Sequence, residues 1–209
     1  MAGNRNPEAG RVGERGPADH PTRVQLLEEA HRHFRLYGYG KTSVADLARA
    51  IGVSPAYVYR FFDSKQAIGD AVVADQLGVM IGRLEALMTA PRSASERLRR
   101  LYSALTESGL SFFFNERKLH EIVVAAVTEH WPAVRRYQQV VRALIRALVV
   151  EGREAGEFER KTPVDDVAAA IFATLGPFMH PILLEQAEPD ELRPLAERVA
   201  DLVLRSLAP

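Results

Sequence analysis

Residues 43–65 read Ser-Val-Ala-Asp-Leu-Ala-Arg-Ala-Ile-Gly-Val-Ser-Pro-Ala-Tyr-Val-Tyr-Arg-Phe-Phe-Asp-Ser-Lys, two short helix signatures joined by a glycine. Ser43 followed by Asp46 has the spacing of a capping box: the hydroxyl takes an orphan amide and the acid complements the helix N-terminus. The helix that begins there ends at Gly52, a residue free to adopt the left-handed conformation of a sharp turn. Ser54 then caps a second helix, with Pro55 at its first position, where the missing amide costs nothing. Val44, Leu47, Ala48 and Ile51 recur at helical spacing, with Val53, Val58 and Phe62 as the facing wall, enough to close a small core. The pattern predicts a helix-turn-helix.

What the second helix leaves pointing outward is Ala56, Tyr57, Tyr59 and Arg60, beside Lys65 at the start of the next helix. That set suits a DNA groove. Arginine offers a two-pronged donor to guanine, tyrosine donates to phosphate or meets a thymine methyl, and lysine at a helix N-terminus binds phosphate. A capped helical pair also occurs in many proteins with no such partner, and on spacing alone these residues suit an ordinary surface equally.

Across residues 26–72 the chain resembles the N-terminal domain of the TetR/AcrR family of transcription regulators. The resemblance rests on Ala30 and Phe34, Gly38 and Thr42, Gly52-Val53-Ser54, then Tyr59, Phe62 and Lys65. It implies that Thr42, Tyr59 and Lys65 hold phosphates and that Pro55, Ala56, Tyr57 and Arg60 face bases. With the capping serines Ser43 and Ser54 they complete the expected DNA-binding set. Phe61 departs from the family, which often has histidine or tyrosine there. A phenyl ring cannot donate a hydrogen bond, which leaves a thymine methyl or the core as its partner.

Outward from this unit, residues 1–20 are rich in Gly and Pro and nearly empty of large apolar side chains, and read as a disordered tail. Its Arg5, Arg11 and Arg15 are cancelled by Glu8, Glu14 and Asp19, and with no apolar core it does not read as a signal peptide. Residues 22–37 form a first helix ended by Gly38, so the DNA-binding domain is expected over 21–67. A long helix follows Ser64 to about Thr89 and carries Gly69, Gly78 and Gly82, each costing up to about 1 kcal/mol relative to alanine. Close packing against a neighbour is the expected compensation, a ligand-sensitive bend the alternative.

The remainder, 68–209, reads as helices throughout, with no alternating segment long enough for a sheet. Helices are expected over roughly 93–115, 118–129 and 132–154, then from Pro163, kinked at Gly176-Pro177 and Pro181, and finally after Pro189. The fold class is therefore all-α: a three-helix DNA-binding domain followed by a larger helical domain.

Composition agrees with a two-part soluble regulator expected in the cytoplasm. The chain has 209 residues, 47% of them hydrophobic, and its apolar runs, such as Ile122 to Val127, fall far short of the roughly 20 residues that cross a bilayer. With no cysteine, thiol nucleophiles and thiolate metal sites are excluded. The formal net charge is zero, but residues 21–65 hold seven basic and four acidic residues, a difference of +3, against 17 and 20 over residues 66–209, a difference of −3. The small domain thus carries the charge that displaces counterions from DNA. No metal site is expected: His31 and His33 lie on different helix faces, and His120 and His130 lack partners at ligand spacing. No Gly-x-Ser-x-Gly elbow or Walker loop points to an enzyme, and no cofactor is implied.

Phe112, Phe113, Phe114, Trp131, Phe172, Phe178, Met179 and His180 concentrate aromatic and soft groups in the larger domain. Phe112, Trp131, Phe172, Phe178, Met179 and His180 are the expected contacts of an apolar or amphipathic effector. Leu192, Leu195, Val199 and Leu202 form a stripe that must be buried. The resemblance implies that it joins Val167 and Ile171 in a homodimer contact, and hence an inverted-repeat operator. Two other readings stay open: a DNA-binding regulator governed by a protein partner, and an enzyme or carrier whose helix-turn-helix no longer binds DNA.

Overall fold

The computed structural model describes residues 20–209, so the tail expected over 1–20 lies, but for His20, outside the described residues. Every described element is helical: α1 (Pro21–Tyr37), α2 (Val44–Ala50), α3 (Pro55–Val58), α4 (Lys65–Met88), α5 (Ala94–Asn115), α6 (Arg117–Thr128), α7 (Pro132–Glu154), α8 (Val164–Thr174), α9 (Gly176–Met179), α10 (Pro181–Glu185) and α11 (Pro189–Ser206). None is long and apolar enough to cross a membrane.

Serine caps set four of the helix starts. The Ser43 hydroxyl accepts from the Asp46 amide at 3.2 Å while the Asp46 carboxylate accepts from the Ser43 amide at 3.0 Å, closing the capping box. Because the hydroxyl and amide of Ser43 both donate to it, the Asp46 carboxyl is held below its usual range. Ser54, Ser64 and Ser93 accept from the amides of Tyr57, Ala67 and Glu96. Gly38 and Gly52 sit at φ +85° and +71°, the left-handed region that made glycine the expected residue at both turns. α3 is a single turn, shorter than a recognition helix is usually drawn, and Tyr59 to Phe61 continue it as a turn that leads towards the α4 cap.

Phe34, Leu47, Val58 and Phe62 close the small core of α1–α3, and Phe61, only 6% exposed, joins it against His20 and Tyr57. This decides between the two partners open to Phe61. α4 leaves that core and packs most extensively on α7, while α5 packs on α11 and α7 on α8. Of the three α4 glycines only Gly69 is closely packed: a Cβ there would lie 2.9 Å from the Trp131 ring, whereas Gly78 and Gly82 face open space. Nothing in the packing explains the last two.

Candidate DNA-binding surface and ligand cavity

On α3 and the turn after it, Ser54, Pro55, Ala56, Tyr59 and Arg60 are exposed, and Tyr57 is half-buried. The Tyr57 ring is held edge-on by Phe61, and the Arg60 guanidinium lies 5.4 Å over its centroid. The two side chains expected to face bases thus lean on each other rather than wave freely, which reduces the entropy that a binding partner would cost them. Lys65 Nζ sits 4.4 Å over the Tyr39 ring, and burial pushes its ammonium pKa down.

Ser43 is exposed, but its hydroxyl also donates to Asp46 at 2.6 Å. Thr42 departs from expectation. It is 2% exposed, and its hydroxyl donates to the Gly38 carbonyl at 3.0 Å, so its side chain stabilises the α1–α2 turn and is not free for a phosphate.

Behind this unit, α4 to α7, α9 and α10 line a cavity of about 430 Å³ that is partly open to solvent. Its polar and charged lining groups are Gln76 and Arg83 of α4, Ser108 and Ser111 of α5, Glu116, and His120 of α6. His120 is buried, with Nε2 3.1 Å from a Glu185 carboxylate oxygen. Burial drives its pKa below the usual histidine value despite the opposing pull of Glu185. A neighbouring pocket of about 170 Å³, no more enclosed than the first, shares Leu77, Val123, Tyr137, Met179 and Pro181 with it. Phe172, Gln138 and His180 line this second pocket and not the larger cavity. Among the described residues no cluster of acidic and histidine side chains is placed to hold a metal ion.

The sequence matches the family profile described as Bacterial regulatory proteins, tetR family, over residues 26–72, and the Tetracyclin repressor-like, C-terminal domain over residues 94–200. The chain belongs to the TetR family. It is a DNA-binding transcriptional regulator, as this membership requires, and not an enzyme. Among solved structures, a TetR-family regulator of Pectobacterium atrosepticum shares 21% identity, covers 90% of this chain and 94% of its own, and superposes with a TM-score of 0.68. PfmR of Thermus thermophilus shares 26% identity, with 91% and 99% covered and a TM-score of 0.58. FadR of Bacillus subtilis, solved in complex with stearoyl-CoA, shares 18% identity, with 88% and 98% covered and a TM-score of 0.62. No curated protein matches the chain.

In this TetR-family fold the expected effector residues divide. Phe112 borders the larger cavity, Phe172 and His180 the smaller pocket, and Met179 both. Trp131 and Phe178 do not line the cavity, which corrects their assignment. Both are fully buried: Trp131 packs on Gly69 and Tyr39 and donates to Glu129 at 2.8 Å, and Phe178 stacks edge-on with Tyr102. The side chains of Phe113 and Phe114 lie outside the described residues. Tyr137 is one of several cavity residues that sequence reading missed, with Gln76, Arg83 and Glu116 among the others. Only its helical periodicity on α7 marked it, and that signal equally marks core.

The expected dimer residues divide as well. Val167, Ile171 and Leu192 are 7%, 3% and 4% exposed, packed inside the protomer by the α7–α8 and α5–α11 contacts, and are therefore removed from the interface set. Leu195 and Leu202 are 38% and 62% exposed, Val199 is half-buried, and Ala169, Ala170 and Ala173 form an exposed small-residue face on α8.

A second missed group joins the parts of the TetR fold. Asp70 of α4 is buried and accepts from the Ala133 amide at 2.8 Å, supplying the side-chain cap that α7 lacks locally. Arg35 of α1 donates from Nε to the Glu116 carboxylate at 2.7 Å, so one residue of the cavity wall grips the helix that backs the helix-turn-helix.

Proposed function

We propose that this protein is a homodimeric repressor that binds an inverted-repeat operator and leaves it when a small apolar or amphipathic effector fills the cavity behind α6. Residues 21–67 serve as the DNA-binding unit and 68–209 as the effector-binding and dimerisation unit. Base reading falls to Pro55, Ala56, Tyr57 and Arg60, and phosphate contact to Tyr59 and Lys65 with the N-termini of α2 and α3 beside Ser43 and Ser54. Dimerisation uses the outward faces of α8 and α11, led by Leu195, Val199 and Leu202.

The observation that carries this reading is the bond from Arg35 to Glu116. A ligand that moves α6 moves Glu116, and Glu116 is tied to α1. Displacement of α1 shifts the spacing of the two recognition helices in a dimer, which must match successive grooves on one face of the duplex. The stearoyl-CoA in the FadR structure shows a similar fold accommodating an amphipathic molecule, which supports an effector of that broad class here.

The test is fluorescence anisotropy with duplexes from the region flanking the gene. An inverted repeat there should bind with a steep salt dependence and far above a scrambled duplex. Equal affinity for both duplexes would refute sequence-specific regulation.

A further inference from the structure

Three side chains that can carry charge near neutral pH line the larger cavity, Arg83, Glu116 and His120, and only one of them lacks a counterpart. The Glu116 carboxylate is taken: Arg35 of α1 donates to it from Nε at 2.7 Å. His120 is held by Glu185, and burial pushes its pKa below the ordinary histidine value, so its ring is mostly uncharged near neutral pH. Arg83 has neither an ion pair nor a side-chain hydrogen bond among the described residues. Its helical neighbours three and four residues away, Val79, Met80, Ala86 and Leu87, include no acid that could neutralise it.

Gln76, Met80 and Arg83 follow one another on α4 at spacings of four and three, a single stripe turned to the cavity with Arg83 at its exposed end. Much of the remaining wall is apolar, with Leu77 of α4, Phe112 of α5 and Val123 of α6. The neighbouring pocket repeats the imbalance: no acidic side chain lines it, and the Arg142 guanidinium lies 3.7 Å over the Phe172 ring of its wall. An occupant of this space therefore meets an apolar wall with a positive edge.

A guanidinium holds a carboxylate by two parallel hydrogen bonds, a geometry that a neutral head group cannot match. Because Arg83 is exposed, the anion paired with it keeps part of its hydration and escapes the cost of a fully buried charge. One uncompensated cation in the lining of the larger cavity matches a single negative charge. We propose that the cavity takes an acidic amphiphile, with its apolar body against α5 and α6 and its carboxylate paired with Arg83 at the side open to solvent. The proposal rests on reading the cavity as an effector site and adds the charge of the effector and the residue that selects it.

Octanoate, 1-octanol and octylammonium share one chain and differ in head-group charge. Each is titrated near neutral pH into the full-length protein by ligand-observed NMR, which reads dissociation constants into the millimolar range. Wild type should bind octanoate roughly tenfold more tightly than octylammonium. Arg83→Gln should weaken octanoate about three- to fivefold, the range of an exposed ion pair, and leave 1-octanol within about twofold. Arg83→Glu should invert the order of octanoate and octylammonium. Arg100→Gln, which removes the same charge from α5 away from the cavity, should leave all three affinities unchanged. As Arg83 is exposed and unpaired, its variants should melt with wild type. Octanoate affinity indifferent to both Arg83 variants, an equal loss in Arg100→Gln, a loss in Arg142→Gln in place of Arg83→Gln, or no binding of octanoate at all would each overturn the proposal. Release of operator DNA is measured separately. Arg83-dependent binding of octanoate with no release would defeat the regulatory reading and leave this one standing, and release by all three compounds alike, indifferent to Arg83→Glu, would do the reverse.

Discussion

Arg60 and Lys65 are two cations close in sequence with different surroundings, and the difference assigns them different work. Arg60 is exposed on the turn after α3 and steadied by the Tyr57 ring, whereas Lys65 sits at the first turn of α4 over Tyr39. Arg60→Ala should cost about 1–3 kcal/mol at the preferred operator and little on random DNA, while Lys65→Ala should weaken every sequence alike and lower the salt slope by about one. Competition binding on operator and scrambled duplexes at several salt concentrations checks both. At this scale the sequence was legible where chemistry is local, as in the exposed Pro55-Ala56 and Arg60. It was not legible where a side chain's direction depends on distant partners. Trp131 and Phe178 look like cavity aromatics in one dimension, but Gly69 opens a slot for the first and Tyr102 faces the second. Trp131→Ala should therefore destabilise the fold by roughly 3–5 kcal/mol, which thermal unfolding would register, without removing a ligand contact.

Helix boundaries were legible almost throughout, because caps and glycine turns are written within a few residues of where they act. Ser54 carries the largest share for its helix: α3 is one turn long, and the hydroxyl accepts the amide of Tyr57, a residue of the expected reading face. Ser54→Ala should cost about 1 kcal/mol of stability in chemical denaturation and weaken DNA binding as the turn frays. The start of α7 was legible only as a proline, since its capping carboxylate comes from Asp70 on another helix. The pin between α6 and α10 was likewise invisible, as it joins His120 to Glu185. Burial of His120, which outweighs the pull of Glu185, predicts a pH response. The folded pKa of His120 lies below its ordinary value of about 6.5, so its contribution to stability is fully present above that value. Below it the unfolded chain binds the proton first, and stability falls with pH until the folded histidine also titrates. Unfolding free energy measured between pH 7 and 5 should decline more steeply in wild type than in His120→Gln. Equal slopes would remove His120 from the account.

For the whole molecule, the coupling of two sites matters more than either alone. The all-α architecture and the order of its parts were legible because amphipathic periodicity and turn chemistry repeat along the entire chain. Which face of α11 meets the protomer's own α5 and which remains outside was not, since Leu192 and Leu195 carry the same pattern and differ only in what packs against them. Leu202, more than half exposed, is the position where charge should separate subunits without unfolding them. Leu202→Glu should give a folded monomer by analytical ultracentrifugation, with weak operator binding, and a wild-type dimer constant would place the interface elsewhere. An effector releases DNA only through unequal affinity for the two dimer shapes, about 5.5 kcal/mol for a full reversal from 99:1 to 1:99. The linkage is reciprocal. The decisive measurement is a calorimetric titration of a compound that fills the cavity, performed with the free dimer and with the dimer saturated by operator: weaker binding in the presence of operator, by the same factor by which the compound weakens operator binding, is the predicted result, and identical affinities in the two titrations would contradict the account.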